Sequence, residues 1–193
     1  MNTALLVLRL VAGLLFIGHG LQKLVPPRYS PPLLRAFGLQ ATADGFDGLG
    51  VRPALPAALL AGTAELVGGF SIAAGLLTPI GTILITAVMT TAVLTVHFRN
   101  GIWNADGGFE FNLTLVACAY VVSALGPGSH SLNNAIDIGN WAGINWSMST
   151  AGRAGIVVAI GAVCGLLPVI GAAMTRPVET DRPVTAQAGD RLR

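Results

Sequence analysis

Residues 5–25 read LLVLRLVAGLLFIGHGLQKLV. A helix needs roughly 20 mostly apolar residues to cross the hydrocarbon core of a bilayer, and this run supplies them. Yet it carries Arg9, His19 and Lys23. A charge near the bilayer centre costs about 2.5 to 3.5 kcal/mol on insertion scales, so such side chains turn toward protein or water and often mark a functional path. The remaining chain must supply their partners. Arg9 breaks the apolar run and no small-residue cleavage site precedes Lys23, so the segment reads as a retained helix rather than a signal peptide.

The composition of the whole chain agrees. Of 193 residues, 53% are hydrophobic and only 10% charged, far below the roughly 25% charged content of soluble domains. The chain reads as an all-α, polytopic transmembrane helical bundle with no room for a separate soluble domain. Its net charge of +2 is small and its basic residues are scattered, which argues against nucleic acid as a partner. Cys118 and Cys164 lie singly inside apolar runs, as small core residues do, and give no disulfide or thiol-exchange motif.

After the first helix, residues 26–53 form a connection rich in proline, glycine and charge. Leu33, Leu34, Phe37 and Leu39 around Arg35 predict a short interfacial helix over Pro32–Leu39, and the glycines from Gly45 to Gly50 predict the turn back. A second span runs over Ala54–Leu77, where Ala61, Glu65 and Gly69 share one stripe. Glu65 therefore faces protein.

Thr78 and Pro79 predict a tight hairpin into a third span, Ile80–Phe98, closed by His97 and Arg99. Its threonines, Thr82, Thr86, Thr90, Thr91 and Thr95, can bond back to their own helix. Trp103 sits in the next loop as an interfacial anchor. A shorter fourth helix, Phe109–Leu125, opens with Glu110 and Asn112; an acidic residue in a first turn is also explained by the helix dipole. A polar stretch with Trp141 and Trp146 leads to a fifth span, Ala151–Met174, rich in small residues. The charged tail, residues 175–193, is expected to be disordered.

Depth along each helix sets the candidate chemistry. His19 and Lys23 lie four apart near one end of the first helix, His97 ends the third on the same side, and Glu110 opens the fourth there. Arg9 and Glu65 lie deeper and are expected to pair. His19, Lys23, His97 and Glu110 are thus candidate proton-handling groups at one membrane depth, with Asn112 in support.

Three segments carry a family resemblance: LVLRLVAGLLFIGHGLQKL (6–24), AELVGGFSIAAGLLTPIG (64–81) and GGFEFNLTLVACAYVVSALGPGSHSL (107–132). In that order they resemble the DoxX family of small bacterial membrane proteins. The resemblance implies a four-helix membrane core over residues 1–132, followed by a loop and fifth helix (133–174) that depart from the family pattern. Members are associated with quinone-linked oxidation, including a thiosulfate-oxidising quinone reductase subunit, and with complexes joining a superoxide dismutase and a sulfurtransferase at the membrane. The resemblance thus implies a quinone-linked oxidoreductase subunit in redox homeostasis at the bacterial inner membrane.

Two other classes compete. One is a membrane anchor for soluble redox enzymes at its cytoplasmic face, the other a small-molecule transporter built around Glu65, though no inverted repeat is visible. A bis-histidine haem between His19 and His97 is a further arrangement that a Soret band would reveal. No dinucleotide fingerprint and no metal-ligand motif stands in the sequence, so electrons would pass through a quinone or a partner.

Basic residues accumulate on the cytoplasmic side of short loops. Lys23, Arg28, Arg35, Arg52, Arg99, Arg176, Arg182, Arg191 and Arg193 fall on one side of a five-span chain and Arg153 alone on the other. The N-terminus is then outside and the tail cytoplasmic. In a variant lacking Cys118 and Cys164, an impermeant thiol reagent on intact cells should label a cysteine at Ser129 and spare one at Thr185. The opposite pattern reverses the topology.

Overall fold

The structure, a computed structural model, describes residues 2–137 and 150–175. The expectations for Trp141, Trp146 and the tail beyond Thr175 fall outside these residues. Seven α-helices are present among them: α1 (Asn2–Leu24), α2 (Gly38–Gly48), α3 (Ala54–Ala74), α4 (Thr78–Ala92), α5 (Glu110–Leu125), α6 (Leu132–Ala135) and α7 (Thr150–Thr175). There is no strand among the described residues. Four segments are long and apolar enough to cross a membrane: Asn2–Leu24, Ala54–Ala74, Thr78–Asn100 and Thr150–Met174. The 16-residue α5 is shorter, about 24 Å at the helical rise. It still joins the two ends of the bundle, because the turn that follows it bonds to the Arg9 end of α1 through Pro127.

The α1–α3 crossing is unusually close. A Cβ placed on Gly13 would lie 2.5 Å from Gly69 O, and one on Gly20 would lie 2.7 Å from Gly62 O. Only glycine lets the two backbones touch here, and such contacts are how helices associate where lipid removes the hydrophobic drive. Phe16, Ala12 and Leu5 of α1 then meet Ile72 of α3, Ile85 and Met89 of α4, and Leu115, Ala119 and Val122 of α5 in one core. This is a four-helix core. α7 packs outside it on α4, where Gly161 and Gly165 lie against Thr86, Ala87 and Thr90, and Thr91 Oγ1 donates to Gly165 O. The outward faces remain apolar, with Val7, Val11 and Leu14 on α1 and Leu60 and Phe70 on α3 exposed, as expected of surfaces solvated by lipid.

Two local expectations are corrected. The short helix predicted over Pro32–Leu39 is instead an irregular turn, and α2 begins only at Gly38. Pro31 and Pro32 remove two backbone donors, and Arg35 adopts φ +50°, which stops a right-handed helix before it starts. The turn back expected over Gly45–Gly50 comes at its far end, at Gly50, φ +79°, after α2 has run to Gly48. The hairpin between α3 and α4 is made by Gly75–Leu77, both ends left-handed, and Thr78 and Pro79 belong to the first turn of α4. Past Ala92 the helix continues as a π-helical turn, Val93–His97, and a 3-10 turn, Phe98–Asn100.

The threonines of α4 divide. Thr91 and Thr95 bond back within the helix as expected, Thr82 crosses to Ala119 O, and Thr78 and Thr86 have no hydrogen-bond partner among the described residues.

Candidate functional site

The buried charges find partners other than the predicted ones. Arg9 does not pair with Glu65. It is fully buried and donates from Nε to Ile72 O (3.1 Å), from Nη2 to Ala73 O (3.0 Å) and from Nη1 to Pro127 O. Ile72 and Ala73 lie in the last turn of α3, where carbonyls lack helical partners and the dipole is negative. Gly75 allows this approach, because a Cβ there would lie 2.7 Å from Arg9 Cζ. Arg9 thus caps α3 and ties the α5–α6 connection to it.

Glu65 pairs with Lys23, Nζ to Oε2 at 2.6 Å, with Glu65 almost fully enclosed. Side-chain direction explains both outcomes. Helical side chains lean toward the N-terminus of their own helix. In the antiparallel α1–α3 pair, Lys23 leans inward from the end of α1 while Glu65 leans toward that same end. Arg9 leans the other way.

His19 shares an edge of α1 with Lys23 and is near enough to Glu65 to act on it electrostatically. Its Nδ1 donates to Gln22 Oε1 (3.3 Å), and Gln22 Nε2 donates to Leu34 O (2.8 Å). In the neutral ring this places the hydrogen on Nδ1 and leaves Nε2 as an acceptor. A groove of about 440 Å³ opens here, lined by Leu14, Gly18, His19, Gln22, Pro31 and Leu34. One wall is helix, the other the irregular turn that replaced the expected interfacial helix.

The four residues expected to converge fall into two groups. His97 Nδ1 donates to Gly107 O (2.7 Å), which also accepts from Asn100 Nδ2 (3.2 Å). Glu110 Oε2 accepts from the Asn104 backbone N–H (2.9 Å). Phe98 stacks on Phe109, ring centroids 6.3 Å apart. His97 and Glu110 therefore close the α4–α5 loop upon itself, and no described hydrogen bond or ion pair links them to His19, Lys23 or Glu65. Asn112, deeper in α5, is buried and donates to Met89 Sδ at 3.3 Å. Trp103 is exposed in the loop between.

Gln22 and Leu34 were missed by sequence reasoning. Gln22 is three residues beyond His19, a spacing that shares a helix face, so its role had a legible signal; the Leu34 carbonyl had none, because it depends on a turn.

A family model describes the same region. The DoxX family model matches residues 4–98. Residues 4–98 belong to the DoxX family. The match contains the α1–α3 crossing, Arg9, His19, Lys23, Glu65 and His97. Glu110 and Asn112, and with them the third segment of resemblance, lie beyond the matched part. No curated protein and no solved structure matches the chain. The DoxX-matched half thus carries the complete Lys23–Glu65–His19 arrangement.

A buried ion pair deprived of one partner is costly, about 3 to 5 kcal/mol, whereas an apolar replacement of both can be neutral. Lys23→Met should therefore lower the Tm of the detergent-solubilised protein more than Lys23→Met combined with Glu65→Leu. A double variant losing the sum of the two single losses means that the pair contributes no coupling.

Proposed function

We propose that this DoxX-family membrane protein is a quinone-linked redox subunit, with the head group held in the groove beside His19. The observation that carries this reading is the juxtaposition of a membrane-level groove, a histidine whose Nε2 makes no hydrogen bond among the described residues, and a Lys23–Glu65 ion pair one helical turn further along α1. The residues fit such a group. The groove is mostly apolar, as a ring and isoprenoid tail require, and its polar side chains are His19 and Gln22.

A bound quinone supplies two-electron, two-proton chemistry, with electrons delivered by a soluble redox partner at the loop face. The chain itself handles protons and position. His19, oriented by Gln22, accepts or returns a proton at Nε2. Lys23, one turn beyond His19 on the same edge of α1, holds positive charge near the site and favours anionic forms in it. Glu65 keeps that lysine in place and is the carboxylate through which charge at His19 is balanced. With the basic loops in the cytoplasm of a bacterial inner membrane, the groove opens on the cytoplasmic side, where a partner enzyme can dock.

His97 and Glu110 take no part in this site. Photolysis of an azido-quinone with the protein in nanodiscs should place the adduct within residues 14–34. His19→Ala should reduce labelling by roughly tenfold, the equivalent of one well-placed hydrogen bond, and His97→Ala should leave it unchanged. Adducts confined to α7, or labelling indifferent to His19→Ala, overturn the site and favour a scaffold that only assembles redox enzymes.

A further inference from the structure

A second cavity lies on the other side of the bundle, away from His19. It occupies about 280 Å³ between α4, α5 and α7 and is lined by Thr86, Met89, Val93, Leu94, Asn112 and Leu113, with further apolar contributions from α7. No charged residue lines it. Apart from Thr86, Thr90 and Asn112 its walls are apolar.

Thr86 is 2% exposed and its hydroxyl has no hydrogen-bond partner among the described residues, although buried hydroxyls are almost always satisfied. Asn112, also buried, donates to the weak acceptor Met89 Sδ and makes no other hydrogen bond among them. Beside these two, α4 widens into its π-helical turn at Val93 and Leu94, a distortion that recurs at functional positions. Leu94 and Leu113 line the cavity and are themselves exposed on membrane-level helices, so the opening faces lipid.

We infer that this cavity binds a neutral, single-chain lipid ending in a hydroxyl group, of the long-chain alcohol class. A hydroxyl satisfies both groups at once, accepting from Thr86 Oγ1 and donating to the Asn112 side-chain carbonyl. The uncharged lining gives no counter-ion to a phosphate, carboxylate or amine, and burying such a group unpaired is costly. On the scale of ~30 Å³ for a water-sized group, the volume holds roughly ten heavy atoms, enough for the hydroxyl end and adjoining part of one chain, whose remainder lies in the lipid at the opening, and too few for two chains side by side.

The test uses the full chain in nanodiscs and two probes, a diazirine-bearing decanol and the matched alkane without the hydroxyl. The alcohol should label the segments 86–94 and 109–116 roughly tenfold more than the alkane, and excess decanol should compete. Thr86→Val, which keeps the side-chain shape, should reduce alcohol labelling to the alkane level, Thr86→Ser should retain it, and His19→Ala should not affect it. Ala162→Phe, which fills the cavity from α7, should abolish both. Equal labelling by the two probes, or labelling untouched by Thr86→Val in a correctly folded protein, means that bulk lipid alone fills the space and overturns the proposal.

Discussion

The contact of α1 with α3 at bare backbone, Gly13 against Gly69 and Gly20 against Gly62, constrains everything else in the core. In lipid the apolar side chains gain little by meeting one another, so association rests on close van der Waals approach and on polar bonds between helices. Touching backbones supply the first and fix the register that permits the second. One register places the Arg9 guanidinium on the last carbonyls of α3 and the Lys23 ammonium on Glu65. A side chain at Gly69 would separate both contacts together.

The two cations of α1, Arg9 fully buried and Lys23 half-buried, are accommodated by different physics. Arg9 has no carboxylate partner in its hydrogen-bond set, and its charge is offset by a helix C-terminus and three backbone carbonyls. Carbonyls do not titrate, so this arrangement is structural and holds at any pH. Lys23 and Glu65 are both ionisable, and His19 stands beside them. At that end of the helix pair a buried carboxylate stands beside an imidazole. The difference in chemistry at the two ends is why the proposed redox site stands at one of them, while the other is a cap.

Much of this was legible in the sequence. The apolar runs gave the membrane class, the small-residue stripe through Ala61, Glu65 and Gly69 gave the face that α3 turns to α1, and the spacing of His19 and Lys23 gave their common edge. Partner choice was less legible, because matching Arg9 to Glu65 by opposite charge ignores the lean of helical side chains. The groove itself was illegible: its second wall is a turn set by Pro31, Pro32 and a left-handed Arg35, where helical periodicity suggested an interfacial helix. Likewise the inward folding of His97 and Glu110 depends on loop carbonyls and amides that no side-chain pattern records.

The central claim is that the Lys23–Glu65 pair answers protonation events at His19 when a quinone in the groove changes redox state. Redox-induced infrared difference spectroscopy on the quinone-loaded protein reads this directly. The account predicts a carboxyl band that shifts in heavy water and disappears in Glu65→Gln while quinone remains bound. A difference spectrum identical in Glu65→Gln and the native protein would contradict it.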